Sequence, residues 1–296
     1  MLTGEYFVLD GAKSLAFPTK FGQKMTIKSA RGSDLGWKSF DNEGNCWFDS
    51  QISLYDFSPV KTNNEEVSES LRQLLRNVVR LNSEFLNNWK AFKVETHLEF
   101  PRDWGLGSSS TLTHMMAEWA GVSPFLLHFR TSNGSGYDVA CAAADGPITY
   151  EYTGDSLHFE EVDFNPSFKK NLFFVHLNKK QSSKEALDYY FKKVKSKKAT
   201  AKELTQLTDE VLASKKLEDF QNILCEHEKI VSKTINKTTI KEERFSDYWG
   251  CVKSLGAWGG DFALVSSLES EAKTKKYFSD KGYNVVVPFD DMIVNL

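Results

Sequence analysis

No stretch of this 296-residue chain comes near the ~20 consecutive apolar residues that a bilayer-spanning helix needs, and no basic segment followed by an apolar run opens it. Neither a membrane partner nor a secretory signal is expected, and the chain reads as cytoplasmic. Cysteine is scarce: the four residues, Cys46, Cys141, Cys225 and Cys251, are scattered without a Cys-x-x-Cys pair. That spacing excludes a disulfide framework and a zinc ribbon, and it predicts reduced, mostly buried thiols. The six histidines form no His-Glu-x-x-His pattern, and the acidic neighbourhood of one of them, Glu226-His227-Glu228, reads as the polar stretch of a helix. Charge of one sign is not in excess either. The 37 Lys and Arg against 40 Asp and Glu leave a net charge of -3, which gives no overall attraction for nucleic acid or anionic lipid. Internal repeats and low-complexity linkers are absent.

What the chain does have is enough apolar material for a sizeable core, with 41% hydrophobic and 13% aromatic residues. Its length suits two packed domains, and a shift from strand-rich to helix-rich character places the expected boundary at residues 1–160 and 161–296. Tyr6-Phe7-Val8-Leu9 reads as a strand, Asp10-Gly11 as a turn, and Lys24 to Ile27 as a second strand. Residues 35–55 read as a hairpin around Asp41 to Asn45. Val67, Leu71, Leu74, Leu75, Val78 and Leu81 recur at three- and four-residue spacing and predict a helix over 65–87. Phe92 to Phe100 alternates as a strand, and a helix is expected from Thr111 to about Ala120. Helical pattern fills 183–237, with breaks near Ala199 and Lys215. A strand at Phe262 to Ser266, a helix at Glu269 to Lys281 and a strand at Tyr283 to Phe289 complete an interleaved α/β or α+β chain.

Between the strand ending at Pro101 and the helix at Thr111 lies Gly105-Leu106-Gly107-Ser108-Ser109-Ser110. Glycines permit backbone angles closed to other residues and let a ligand approach the main chain. N–H groups at a helix start point outward, and the helix dipole favours anions there. Three hydroxyls add donors. The other reading of the same residues is a capped helix start, because serine at an N-cap needs no ligand to explain it. The loop is not a Walker A sequence, since no Gly-Lys-Ser/Thr follows.

Three further segments bear on the choice. In order, the chain carries Gly4-Glu5-Tyr6, the Gly105 to Ser110 loop, Ser135-Gly136-Tyr137-Asp138, and Gly256-Ala257-Trp258-Gly259-Gly260. This series resembles the GHMP kinases, the family named for galactose, homoserine, mevalonate and phosphomevalonate kinases, and within it the mevalonate and phosphomevalonate branch. The resemblance spans nearly the whole chain. It implies a two-domain α+β fold, with an N-terminal mixed sheet and helices and a C-terminal ferredoxin-like α/β domain. It also implies ATP and Mg2+ as cofactors. Gly105, Leu106, Gly107, Ser108, Ser109 and Ser110 would wrap the ATP phosphates, and Ser109 would reach the metal. Gly256, Gly259 and Gly260 would form a turn closing over the nucleotide. Asp138 and Glu5 would be the catalytic carboxylates, and Tyr6, Ser135, Gly136, Lys180 and Ser182 would face a small, anionic acceptor. A homodimer is also compatible with the family, and no nucleic-acid partner is implied.

The chain departs from the family pattern in four places. Trp258 stands where glycine is usual, and Asp261 where a small residue is usual. The helix before Ser135 carries Leu126-Leu127-His128-Phe129-Arg130, without the metal-binding glutamate of the mevalonate branch, which leaves Ser109 or Glu118 for the metal. The chain begins at Met1-Leu2-Thr3, inside the first motif, without a preceding strand and Gly-Lys. Two functions follow from the sequence: an ATP-dependent kinase of a small metabolite, or a catalytically weak or inactive nucleotide- or metabolite-binding protein on the same fold. A protein-interaction role is a third.

Overall fold

The computed structural model describes residues 1–87, 90–195 and 197–294. In chain order its elements are strands β1 (Ser14–Ala16), β2 (Gln23–Ser29), β3 (Asp34–Phe40), β4 (Cys46–Ser53) and β5 (Pro59–Thr62), helix α1 (Glu65–Leu81), strand β6 (Phe92–Leu98), and helices α2 (Ser108–Ala120), α3 (Pro124–Thr131) and α4 (Tyr137–Ala143). They continue with strands β7 (Ile148–Tyr152), β8 (Leu157–Glu161) and β9 (Leu172–His176), then helices α5 (Ser183–Lys193), α6 (Lys198–Ala213), α7 (Leu217–Ile235) and α8 (Ile240–Arg244). Strands β10 (Val252–Ser254) and β11 (Phe262–Ser266), helix α9 (Glu271–Asp280), strand β12 (Val286–Pro288) and helix α10 (Phe289–Met292) close the chain.

These elements form two compact units that are not successive stretches of sequence. One holds Phe21–Arg102 and Leu106–Ala143; the other holds Met1–Lys20, Asp103–Gly105 and everything from Ala144 onward. The division expected near residue 160 therefore falls within the second of these units. The cause is local pairing: β1 runs antiparallel to β7, with Leu15 opposite Thr149, so the first 20 residues belong with the later half of the chain.

The first unit is a five-stranded sheet in the order β2-β6-β3-β4-β5. It is mixed, because β3 runs parallel to β6 while the other neighbours are antiparallel. Alternation sets its buried face: Leu35 and Trp37 of β3, Phe48 and Ile52 of β4 and Val94 of β6 all point into one core. Leu71, Leu74, Leu75 and Val78 of α1, Met116 and Ala117 of α2, and Leu127 of α3 cover it. The apolar spacing of α1 is thus spent on this contact, and Asn64 starts the helix by accepting a hydrogen bond from the Val67 N–H at 3.1 Å. The helix ends at Leu81, short of the expected 87.

The second unit contains a three-stranded sheet, β1-β7-β8, and a four-stranded antiparallel sheet, β10-β11-β9-β12. In the latter the first and third strands are central and the second and fourth lie at the edges. With helices between the first and second strands and between the third and fourth, this is the ferredoxin-like β-α-β-β-α-β arrangement. The two central strands, β9 and β11, are buried along their whole length. Tyr6-Phe7-Val8-Leu9, expected as a strand, instead forms a 3-10 turn over Phe7–Asp10. Tyr6 takes a left-handed φ of 63°, and the Val8 N–H bonds back to the Gly4 carbonyl at 2.9 Å. The apolar run is buried as a knot against α5, α6 and α7 rather than along a sheet, so its period carried no strand information.

Candidate functional site

Helix α2 starts three residues earlier than the sequence suggests, and this changes the meaning of its serines. The N-cap is Gly107, with φ 81°, and Ser108, Ser109 and Ser110 lie within the first turn. Asn64, Ser123, Ser182, Thr239 and Ser270 cap their helices with a side chain, whereas no side chain caps α2. The Ser110 and Thr111 N–H groups bond to the Gly107 carbonyl, both at 3.0 Å. Among the described residues nothing accepts from the Ser108 and Ser109 N–H groups. A β-carbon added at Gly107 would meet nothing within 4 Å, so the approach to these groups is open. Two free N–H groups, flanking hydroxyls and the positive end of a 13-residue helix form an anion-binding arrangement.

In the same unit Ser110 meets Asp138. The Ser135-Gly136 segment leads into α4, whose Val139 and Ala140 N–H groups bond to the Gly136 carbonyl at 3.1 Å. Asp138 stands in the first turn of that helix. Its carboxylate accepts a short hydrogen bond from the Ser110 hydroxyl through Oδ2, and Oδ1 accepts from the Val139 N–H at 3.0 Å. The two motifs thus converge on one oriented, half-buried carboxylate beside the serine turn. Glu118, the other candidate for a metal, lies nine residues beyond Ser109 on α2, roughly 14 Å along the axis, and contacts His114 at 3.6 Å. It does not serve the serine turn.

The second unit gathers the remaining positions. Gly256, Gly259 and Gly260 form the turn between β10 and β11. The Tyr6 hydroxyl donates to the Ala257 carbonyl at 2.8 Å, and the Tyr6 ring stacks on Tyr190 with centroids 5.2 Å apart. Tyr6 is buried and joins the N-terminal turn to the glycine turn. Lys180 and Ser182 are exposed, and Ser182 accepts from the Glu185 N–H at 3.2 Å as the cap of α5. Asp261 has a left-handed φ of 52° and accepts from the Gln181 N–H at 3.2 Å. Its carboxyl lies against Gly105, where an added β-carbon would come within 2.3 Å of it. Gly105, with φ 66°, is therefore fixed both by its backbone angle and by this neighbour. Burial raises the Asp261 pKa, with the Gln181 hydrogen bond and the charges of His176 and Lys180 opposing it.

Glu5 occupies a different kind of site. It is fully buried with Lys253, Glu228 and His227, each at most 3% exposed. The Lys253 ammonium donates to Glu5 Oε1 over a very short distance and to the Ser254 carbonyl at 2.6 Å, and it lies 3.2 Å from Glu228 Oε2. Glu228 Oε1 accepts from the Ser254 N–H at 3.1 Å and from its hydroxyl at 2.6 Å. His227 Nε2 accepts from the Gly4 N–H at 3.0 Å, which puts the ring proton on Nδ1, and stands 3.5 Å from Glu5 Oε2. One ammonium faces two carboxylates, so a proton is favoured on one of them. Burial pushes Glu5 up to about 7, against the lowering effect of Lys253, and holds His227 well below its ordinary value. The helical stretch Glu226-His227-Glu228 was expected to be polar; only Glu226 is exposed, while the next two side chains point inward at this cluster. Nothing in the helix period announces this, because the partners, Glu5 and Lys253, are far away in sequence.

A cavity of about 390 Å³ opens in the second unit, lined by Lys179, Lys237, Arg244, Glu243, Trp258 and Gly259 among others. Burial and the neighbouring Lys179 charge hold the Lys237 ammonium below its ordinary pKa. Trp258, with φ 53°, is 3% exposed, and its indole N–H has no hydrogen-bond partner among the described residues. Lys237 and Arg244 had no part in the site read from sequence, whereas Trp258 stood out there as a departure within the glycine turn; Lys179 and Lys237 lie 58 positions apart and only the fold joins them.

Glu5→Gln tests the buried cluster by its pH dependence. Because the folded-state value of Glu5 lies above its unfolded 4.5, its contribution to stability is complete below pH 4.5 and is lost as the pH rises through about 7. The stability of the parent relative to Glu5→Gln should therefore fall between pH 4.5 and 8, by on the order of 3 kcal/mol. Urea unfolding of both proteins across that range reads it; a difference that stays flat or grows would refute the assignment.

No family model and no curated protein matches the chain. Solved structures do. A mevalonate kinase from Methanococcus jannaschii is 16% identical, covers 100% of this chain and 95% of its own, and superposes with a TM-score of 0.69. The phosphomevalonate kinase of Streptococcus pneumoniae, solved with phosphomevalonate and AMPPNP, is 16% identical over 96% of each chain, with a TM-score of 0.67. Lactococcus lactis galactokinase, complexed with galactose, is 13% identical, covers 99% of this chain and 91% of its own, and gives 0.64. No helix among the described residues is long and apolar enough to cross a membrane. With its mixed sheet, its ferredoxin-like sheet and these superpositions, the chain has the GHMP kinase fold.

Proposed function

We propose that this protein is an ATP-dependent phosphotransferase acting on a hydroxyl of a small anionic metabolite of mevalonate or phosphomevalonate type. The observation that carries the reading is the uncapped serine turn of α2 beside the oriented Asp138. The free N–H groups and hydroxyls fit nucleotide phosphates, with Ser108 and Ser109 as their holders and Ser109 as the protein's ligand to Mg2+. Among the described residues no group of three or more His, Cys, Asp or Glu is placed to hold a metal. The cation would accordingly arrive with the nucleotide. Mg-ATP, when bound, supplies the phosphoryl group.

The residues of the chain do the rest. Phosphoryl transfer asks a protein mainly to position groups and to neutralise charge. Ser110 and the Val139 N–H fix the rotamer of Asp138, leaving its carboxylate to take the proton of the acceptor hydroxyl as the oxygen attacks. Glu5 and Tyr6 act by position: one anchors the N-terminal turn on Lys253, the other ties it to the glycine turn. The cationic cavity bounded by that turn suits a small anion, since Lys179, Lys237 and Arg244 line it with Glu243 as the one acid among its described lining residues. Its volume fits a compact metabolite.

ADP release from Mg-ATP, measured over a panel of small hydroxy acids and phosphorylated alcohols, identifies the acceptor. With that acceptor, Asp138→Asn should lower kcat by roughly 10²- to 10⁴-fold and leave nucleotide affinity nearly unchanged. Undiminished turnover would remove Asp138 from the mechanism. Lys237→Ala should weaken the binding of a small anion such as inorganic phosphate to this cavity roughly 10- to 100-fold in calorimetry, the loss of one charge-assisted contact. Unchanged affinity would mean the cavity does not hold anions.

One observation favours the second reading, a binding protein with weak or no transfer. Asp261 lays a carboxyl against Gly105, at the entrance to a segment proposed to hold polyanionic phosphates. A charge there opposes nucleotide binding, and the burial that raises its pKa lessens the penalty. Asp261→Asn keeps the shape and removes the charge. Calorimetry should show tighter ADP binding by the variant, on the order of tenfold for one repulsion removed. If parent and variant both fail to bind nucleotide, the kinase and nucleotide-binding readings fall together.

A further inference from the structure

Two of the four cysteines meet. Cys225 on α7 and Cys251, the residue before β10, place their sulfurs 3.1 Å apart, both as free thiols. A disulfide brings sulfurs to about 2.05 Å, so roughly 1 Å of side-chain movement separates this contact from a bond. The two thiols differ in ways that suit them to sequential roles. Cys225 is partly exposed and Cys251 is buried. The sulfur–sulfur hydrogen bond shared with Cys251 lowers Cys225 to about 7 against the opposing effect of burial, with Lys241 and Lys229 adding to the lowering. The same contact and burial hold Cys251 well above its ordinary value. Cys46 and Cys141 serve as internal comparisons: Cys46 is exposed, and burial pushes the Cys141 thiol up to about 12.

We propose that Cys225 and Cys251 form an oxidant-responsive dithiol, with Cys225 attacking a hydroperoxide and Cys251 resolving the product into a disulfide that fastens α7 to β10. The Cys225 thiolate attacks the outer peroxide oxygen; the S–O bond forms, the O–O bond breaks, and the leaving oxygen takes a proton to depart as water or an alcohol. The Cys251 sulfur then attacks the Cys225 sulfenic acid. The S–S bond forms, the S–O bond breaks, and water leaves with the proton of Cys251. Two thiols are oxidised by two electrons and one hydroperoxide is reduced by two.

The elements joined are the ones that carry the buried ion cluster. Glu228 follows Cys225 by one turn of α7, and Lys253 lies two residues after Cys251 on β10. The bond joins residues 26 positions apart, closing a loop that constrains the unfolded chain. The oxidised protein is therefore expected to unfold at higher temperature, with the folded arrangement of Glu228 and Lys253 retained.

The full chain, folded and at neutral pH, is exposed to stoichiometric hydrogen peroxide, alkylated and mapped by mass spectrometry without reduction. The expected product is a single crosslinked peptide pair, Cys225 to Cys251, in most molecules, reversed by dithiothreitol, with a raised melting temperature. Cys251→Ser should stop the reaction at a sulfenic acid on Cys225 that dimedone traps, and Cys225→Ser should leave Cys251 unmodified. Far-ultraviolet circular dichroism verifies that each variant is folded. The proposal is overturned if Cys46 is oxidised while the pair stays reduced, if the crosslink forms only in urea, or if Cys251 in the Cys225→Ser protein is modified as fast as Cys225 in the parent.

Discussion

A single buried cation holds the second unit together. Lys253 has no solvent, two carboxylates and a carbonyl around it, and those carboxylates come from the first turn of the chain and from α7. Leaving an ammonium in such a place without partners is prohibitively costly; one ionised carboxylate balances it, and the other is favoured to hold a proton. A buried ion pair is weak evidence for net stability, because desolvation offsets most of the attraction. Its stronger consequence is positional. Glu5 must return to β10, which brings Gly4 to His227, Tyr6 to Ala257 and the glycine turn into register with the N-terminal knot. The non-contiguous composition of this unit follows from that requirement together with the β1–β7 pairing.

The parts of the fold that were legible in the sequence are those where one face of one element meets one core. Helix α1 shows this: its apolar spacing is the spacing of its contacts with the mixed sheet, and Asn64 marks its start. The hairpin of β3 and β4 was equally plain, since alternation and the Asp41 to Asn45 turn agree. Phe7 to Leu9 misled because the run is buried on several sides at once, so composition said apolar and period said nothing. Of the candidate site, Ser110 and Asp138 were legible as motifs, but their hydrogen bond depends on α4 beginning at Tyr137, which seven residues with two alanines after the cysteine do not announce. His227 and Lys253 were illegible for a sharper reason. A buried charge looks like a surface charge until its partner is known, and the partner that His227 and Lys253 share, Glu5, lies at the other end of the chain.

Gly107 and Gly105 illustrate opposite uses of left-handed backbone. At Gly107 the absence of a side chain leaves space, and the helix dipole with two free N–H groups is presented to that space. At Gly105 the space is already taken by the Asp261 carboxyl. Electrostatics over such distances are strong where water is excluded and weak where it is not. At Asp261 burial raises the pKa and so favours the neutral form, while the Gln181 N–H and the charges of His176 and Lys180 favour the carboxylate.

Trp258 shows how a bulky residue persists where the backbone favours glycine. A left-handed conformation costs a non-glycine residue about 1–2 kcal/mol, and an indole N–H buried without a partner costs a further 1–3 kcal/mol or so. Against this, burying an indole removes roughly 150–250 Å² from water, an upper estimate of about 4–6 kcal/mol. The second term exceeds the first only if the ring is packed, and Trp258 is: it joins the core of Tyr6, Tyr190, Leu204 and Val231. A mobile turn would give up that burial whenever it opened, so the tryptophan makes the turn a fixed wall. The cationic cavity is bounded by that residue together with Lys179, Lys237 and Arg244. The packed indole thus offsets the cost of its left-handed backbone and ties the turn to the core of the N-terminal knot.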